Sequence, residues 1–151
     1  MRLLDANLLL YAVDEKSPHH ERARRWLEEA LSGTETIAFA WTALLAFVRL
    51  STQARIFERP LEPARALDLV DSWLDQPCSF VLHPTERHSA LLRELLAPPG
   101  AAGNLVADAH LAALAIEHGA ELCSTDSDFA RFPGLRWANP LSGPIGESPR
   151  T

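Results

Sequence analysis

Three aspartates have surroundings that fit metal-assisted hydrolysis. Asp5 follows a short apolar run, and Asp126 follows a second such run near the other end of the chain. Asp108 and His110 are the only polar residues between positions 105 and 116, so we expect Asp108 to be buried and to need a partner. Clustered carboxylates repel one another, and a divalent cation relieves that repulsion. An all-carboxylate site selects Mg²⁺ or Mn²⁺ over zinc.

Each aspartate also has an ordinary structural explanation. Asp5 would cap the helix that follows it, Asp108 would favour the positive end of its own helix dipole, and Asp126 would begin the turn-like sequence TDSD. Taken singly, these explanations are as good as metal binding. Two acids at strand ends and one in an apolar helix together favour a shared site, with all three as catalytic residues and metal ligands.

The elements that position these acids alternate between strands and helices. Predicted strands cover residues 2–4, 36–40, 79–82, 121–124 and 136–138. Predicted helices cover residues 8–13, 18–32, 41–50, 63–74, 85–96 and 105–118, with Thr85 and Asn104 as expected N-terminal caps. The helix at 41–50 is apolar on almost every side, which fits either a core helix or a dimer surface. The alternation predicts an α/β domain whose parallel strands carry the site at their carboxyl ends.

Length and composition favour a single domain, comprising residues 1–141, followed by a flexible tail at 142–151. The longest apolar runs are far too short to cross a membrane, and Asp5 interrupts the stretch in which a secretion signal would lie. The two isolated cysteines, Cys78 and Cys123, suit a reducing compartment, so we expect a cytoplasmic protein.

The charge balance restricts the kind of partner. A net charge of −6 disfavours a protein that coats nucleic acid non-specifically, but it allows an enzyme that contacts a few nucleotides. Lys16 is the only lysine among 14 basic residues, and arginine suits bidentate phosphate contacts. Arg49, Arg55 and Arg59 are candidates for an RNA-binding patch, with a solvated helix face as the alternative.

Three other α/β classes do not fit the sequence. A dinucleotide-binding domain needs a G-x-G-x-x-G motif, which the chain does not have. A phosphatase of the Asp-x-Asp type needs a second aspartate after the first strand, and a receiver domain needs a lysine late in the chain; both are missing.

Several stretches resemble the PIN-domain ribonucleases, and specifically the VapC-type toxins of bacterial toxin–antitoxin pairs. The matching segments, in order, are LLDANLLLYAVD, HERARRWL, WTALLAFVRLST and LVADAHLAALAIEHGAELCSTDSDFARFPGLRWANPL. The resemblance implies a three-layer α/β/α sandwich around a mostly parallel sheet of four or five strands. It also implies RNA cleavage that depends on Mg²⁺ or Mn²⁺, with 5′-phosphate products, and inhibition by a cognate VapB-type antitoxin.

The resemblance carries over residue by residue. Asp5, Asp108 and Asp126 match the metal-site acids of the family, and Asp128 matches an additional acid that often follows them. The chain departs from the family at Ala46, where many PIN domains carry a glutamate. A PIN-like domain that binds RNA or protein without cleaving it is therefore the alternative function.

Other residues near the acids have accessory roles in this interpretation. We expect Asn7 and Ser124 to hydrogen-bond the metal ligands or the phosphate, with local helix and turn capping as the alternative. The apolar segment at 41–48 is a candidate surface for a homodimer, and it and the region around Trp26 are candidate surfaces for the antitoxin.

Overall fold

The computed structural model describes residues 1–142, and the predicted tail lies outside these residues apart from Ser142. Within this range the sheet has five strands: β1 (Arg2–Leu4), β2 (Ile37–Phe39), β3 (Ser79–Val81), β4 (Glu121–Cys123) and β5 (Trp137–Ala138). Every neighbouring pair is parallel, in the order β3-β2-β1-β4-β5. The prediction of a four- or five-stranded, mostly parallel sheet is confirmed.

The helices of residues 1–142 pack on both faces of this sheet. They are α1 (Ala6–Val13), α2 (His20–Ser32), α3 (Trp41–Ser51), α4 (Pro63–Leu74), α5 (His88–Leu95), α6 (Leu105–His118) and a 3-10 helix (Ser127–Arg131). In the described part of the chain, no helix has both the length and the apolar character that a membrane span requires.

Alternate side chains of β1 divide the core into two layers. Leu3 packs with α5, α6 and the 3-10 helix, whereas Leu4 packs with α1 to α4. The same alternation separates Leu122 from Cys123 in β4, because successive side chains of a strand point to opposite faces. The three-layer α/β/α sandwich is therefore confirmed.

The caps predicted for α5 and α6 are wrong. The side chain of Thr85 donates to Glu117 and accepts the N–H of Arg87, so α5 begins only at His88. Asn104 itself has helical backbone angles, and its side chain makes no capping hydrogen bond. The other helices begin and end within two residues of their predicted limits.

Two helices are less buried than their sequences suggest. On α3, Trp41 is 44% exposed and Leu45 is 58% exposed, so one face of this helix lies at the surface. On α6, Val106 is 48% exposed, while the residues from Ala109 to Ala115 that face the sheet or α5 are largely buried. The prediction that residues 105–116 are buried all round is wrong in the first turn.

The direction of α6 places Asp108 at the site edge of the sheet. Helix α6 runs antiparallel to the strands and leads into the amino end of β4, which is parallel to β1. The N-terminal turn of α6 therefore lies at the carboxyl ends of the strands. Gly119 ends the helix with φ of 66°, a left-handed angle that suits glycine. Asp108 is thus held in the first turn of a helix whose later turns are anchored in the core.

A hydrogen-bond network centred on a buried carboxylate fixes α5 against α6. The side chain of Glu117 is fully buried and accepts hydrogen bonds from the backbone N–H and hydroxyl of Thr85. It also lies 3.1 Å from Nδ1 of His88, whose Nε2 lies 2.9 Å from Nδ1 of His110. His110 therefore has a structural role, as the sequence indicates.

We expect Glu117→Ala to destabilise the fold by roughly 3 kcal/mol, because it removes the buried carboxylate that Thr85 and His88 hydrogen-bond. Chemical denaturation measures the loss. Glu94→Ala, on the exposed side of α5, is the matched control and should change stability by less than about 0.5 kcal/mol. A loss of similar size in both variants would contradict the role given to Glu117.

Candidate metal and nucleic-acid site

Asp5 stands at the carboxyl end of the central strand. Its backbone N–H donates to the carbonyl of Cys123 in the neighbouring strand, which holds it at the junction between β1 and α1. Its side chain caps α1 by accepting the N–H of Ala6 at 2.8 Å. The capping explanation is therefore correct, but it uses only Oδ1.

Ser124 connects the acids through its hydroxyl, which is fully buried at the end of β4. The hydroxyl donates to Asp5 Oδ2 at 2.7 Å and accepts from Asn7 Nδ2 at 3.1 Å and from the backbone N–H of Asp126 at 3.0 Å. One donated and two accepted bonds use the full capacity of a hydroxyl. Ser124 thus hydrogen-bonds Asp5 and the backbone of Asp126, whereas Asn7 reaches the acids only through Ser124 and otherwise accepts the N–H of Thr125 at 3.4 Å.

The two central acids hold their protons more tightly than usual. Burial raises the pKa of Asp5, and the nearby charge of Asp126 adds to the increase, while the hydrogen bonds from Ser124 and Ala6 oppose it. Burial also raises the pKa of Asp108, to about 6, with further contributions from Asp5, Asp126 and Asp128. The structure therefore brings the charges of all four predicted acids within electrostatic range of one another.

Asp126 and Asp128 lie where the 3-10 helix begins. Asp126 Oδ1 accepts the backbone N–H of Asp128 at 2.9 Å, so Asp126 caps this helix as its turn-like sequence suggests. Its Oδ2 has no role in that cap. Asp128 is exposed, at the outer edge of the cluster. We call Asp5, Asp108, Asp126 and Asp128 the acid cluster.

The charges of the acid cluster fit a divalent cation, because the charged form of Asp108, whose pKa is about 6, is destabilised at neutral pH by burial and then by the neighbouring carboxylates. Among residues 1–142, however, no three His, Cys, Asp or Glu side chains converge as ligands of a single ion. The donor set therefore fits an ion that binds one or two carboxylates directly and keeps several waters, as Mg²⁺ does.

The arginine that acts on the acid cluster is not one of those predicted. Arg131 is close enough to Asp108 to lower its pKa against the other influences. Arg49 lies eight residues into α3, about 12 Å along the axis from the start of that helix. Arg55 and Arg59 lie in the connection to α4, and the RNA contacts of all three remain predictions. The sequence does contain a signal for this arginine: Arg131 follows Asp128 by three residues, a spacing that places both on one side of a short helix.

Ala46, where the family resemblance fails, is partly buried and packs on the layer that contains α6. The glutamate that many PIN domains carry at this position is absent from the chain. Without it, fewer carboxylates are available to a cation, so we expect weak metal binding in the absence of RNA.

We expect Ser124→Ala to weaken metal binding about 10- to 100-fold, because it frees Asp5 and leaves two donors without their acceptor. It should also raise the pKa of Asp5 further, since the Ser124 hydrogen bond lowers it. Calorimetric titration with Mn²⁺ measures the affinity. Ser127→Ala, at an exposed position of the same segment, is the control; equal affinities of the two variants would contradict the role of Ser124.

Comparison with known proteins identifies the family. The model of the PIN domain matches residues 2–135. Ribonuclease VapC37 of Mycobacterium tuberculosis is 51% identical over 140 residues, which cover 93% of this chain and 97% of that protein. Ribonuclease VapC33 of the same species is 42% identical over 141 residues, covering 93% and 99%. The chain therefore belongs to the PIN-domain family and, within it, to the VapC ribonucleases.

Solved structures share the fold. VapBC2 from Rickettsia felis, bound to a DNA fragment from its promoter, contains a chain that matches with a TM-score of 0.68 at 22% identity, covering 91% of this chain and 97% of that one. VapC20 of Mycobacterium tuberculosis, described as a toxin that cleaves the sarcin-ricin loop, matches with a TM-score of 0.65 at 17% identity, covering 90% and 99%. At these identities the match supports the architecture alone.

Proposed function

We propose that the protein is a metal-dependent endoribonuclease and the toxin of a type II toxin–antitoxin pair, acting in the cytoplasm. The observation that carries this proposal is the acid cluster itself. The acids that follow β1, lie in the first turn of α6 and follow β4 act on one another's charge at the carboxyl edge of the sheet, and burial with these charges raises the pKa of Asp108 to about 6. Membership of the VapC ribonucleases supplies the type of reaction.

Asp5 and Asp108 would hold a Mg²⁺ or Mn²⁺ ion, with Asp126 bound to it through water. Such an ion lowers the pKa of water and neutralises charge on a phosphate oxygen. The buried Ser124 hydroxyl orients Asp5, so the carboxylate is placed before RNA arrives. Asp126, whose Oδ2 is not used by its cap, would orient the attacking water in line with the bond that breaks.

The proposed inhibitor is a cognate antitoxin. Chains of similar fold occur in solved VapBC and FitAB complexes from several bacteria, including VapBC-1 of Haemophilus influenzae. Unneutralised carboxylates attract a cation, and an arginine from the partner would meet Asp5 and Asp108 with bidentate geometry. Apolar surface beside the site would then receive an amphipathic segment of the same partner.

Expression in a bacterial host tests the toxin role. We expect the wild-type protein to stop growth, and co-expression of the antitoxin encoded beside it to restore growth. Asp5→Asn should be harmless without the antitoxin. A protein that cleaves RNA in vitro but never impairs growth would instead be a processing nuclease.

The exposed face of α3 supports a homodimer, because Trp41 and Leu45 lie one turn apart on it. We expect light scattering to give twice the chain mass of 16.7 kDa, and Leu45→Glu to shift the protein towards monomer by at least about tenfold in dissociation constant. Leu67→Glu, on an exposed position of α4, is the control. A wild-type monomer at micromolar concentration would contradict the dimer.

A further inference from the structure

A cavity of about 290 Å³ lies between the loop that precedes α6 and the end of the 3-10 helix. Leu95 and Phe132 form apolar walls, residues 98–101 form a third wall, and Arg131 stands among the lining residues. The elements that border the cavity also carry the acids, since Asp108 lies in the first turn of α6 and Asp128 lies in the 3-10 helix with Arg131, whose charge lowers the pKa of Asp108. The cavity is therefore a neighbour of the proposed cleavage site and has no role in the mechanism described above.

The loop wall of the cavity has a defined shape. The N–H of Ala101 donates to the carbonyl of Pro98 at 3.1 Å, which closes a tight turn. Pro99 occupies the second position of this turn, and Gly100 follows with φ of 83°, the pattern of a type II turn. A wall held by proline and a hydrogen bond loses little freedom when a ligand binds.

The charge of the lining indicates what kind of ligand fits. Arg131 is the only charged side chain among the described residues that line the cavity. An apolar slot with one arginine at the boundary of an acid cluster suits a flat, weakly polar group joined to an anion. A cationic side chain from a protein partner would be repelled at this place.

We propose that the cavity binds one unpaired nucleobase of the RNA, adjacent to the scissile phosphodiester, and that Arg131 contacts the phosphate between that base and the acid cluster. The inference rests on the proposed ribonuclease function. Proteins that recognise single-stranded RNA splay bases out and hold them against aromatic, apolar and arginine surfaces. The cavity volume lies near the lower end of the range for small-molecule sites, about 300 Å³.

Abasic substitution and cavity filling test the proposal together. The substrate is an oligoribonucleotide that the wild-type protein cleaves at one bond, with each flanking base removed in turn. We expect one abasic position to lower kcat/KM by roughly 5- to 150-fold, the range of single-base stacking. Ala101→Phe, which fills the cavity, should lower kcat/KM for intact RNA to a similar extent. Removal of the same base from the RNA should then cause no further loss of kcat/KM in this variant. Ala102→Phe, exposed and outside the lining, should behave as wild type.

A second variant keeps the test decisive if Ala101→Phe does not fold. Arg131→Gln should reduce the slope of log KM against log salt by the amount that one phosphate contact contributes, about 0.7 for single-stranded RNA. Arg93→Gln, on the exposed side of α5, should leave the slope unchanged. An unchanged slope in Arg131→Gln would overturn the phosphate contact.

Three other results would overturn the base pocket. The first is equal sensitivity of the wild-type protein to every abasic position. The second is normal cleavage by Ala101→Phe with loss of inhibition by the antitoxin, which would make the cavity a protein-docking site. The third is absence of any RNA cleavage by the wild-type protein; it would refute the proposed function as well and is recognised by the loss of all activity rather than of base dependence.

Discussion

We expect Asp5→Asn to lower the rate of RNA cleavage by at least about 100-fold while leaving the protein folded. The carboxylate would hold the cation that stabilises charge in the transition state, and loss of that stabilisation is worth several kcal/mol. The fold should survive because asparagine also caps helices and can still accept the Ala6 N–H. Single-turnover cleavage at saturating Mn²⁺ measures the rate, and circular dichroism checks the fold.

Asp14→Asn is the matched control for this prediction. Asp14 lies at the other end of α1, where its side chain accepts the N–H of Lys16 far from the acid cluster. The same chemical change at this position should leave cleavage within about twofold of wild type. Full activity in Asp5→Asn would show that Asp5 is a helix cap alone and would remove the proposed metal site.

We expect Asp108→Asn to abolish cleavage but to stabilise the metal-free protein. The pKa of Asp108 is raised to about 6 from its ordinary value of 3.8, chiefly by burial and then by the charge of Asp5. The folded chain therefore binds more protons than the unfolded chain between these two values, and its stability falls as the pH rises through this window. Removing the charge relieves that penalty. We expect a rise in Tm of roughly 2–4 °C at pH 7, since solvent screens part of the effect at this partly buried group.

Thermal unfolding in EDTA, repeated from pH 4 to pH 7, measures this difference. The gap between Asp108→Asn and wild type should be largest above pH 6 and should close towards pH 4, because both side chains are then neutral. Mn²⁺ should raise the Tm of the wild type more than that of the variant. Asp68→Asn, on the exposed side of α4, should show no such gap. Destabilisation by Asp108→Asn would instead identify the side chain as a structural cap.

The sheet and the position of the acids were predictable from the sequence for a simple reason. Each strand is a short apolar run between helices of clear periodicity, and parallel strands must present their carboxyl ends at one edge. Asp5 directly follows such a run, and Asp108 begins the descending helix α6. Their convergence therefore follows from topology and does not depend on details of side-chain packing.

Details set by long-range contacts were not predictable in the same way. Thr85 looks like a helix cap in sequence, but a carboxylate 32 residues away, that of Glu117, takes its hydrogen bonds and shifts the start of α5. The outer face of α3 looks like core because its residues are apolar, yet no element of residues 1–142 covers it. Arg131 reaches Asp108 only through the packing of the 3-10 helix against α6. Local patterns contain none of this information.

The most direct measurement is cleavage of a labelled oligoribonucleotide by the purified protein, with and without divalent metal. We expect cleavage with Mn²⁺ or Mg²⁺, none in EDTA, recovery when the metal is restored, and products that carry a 5′-phosphate. Cleavage that persists in EDTA would contradict a metal-dependent acid cluster. Tight RNA binding with no cleavage under any metal condition would show that the protein is a binding module that has lost the activity of its family.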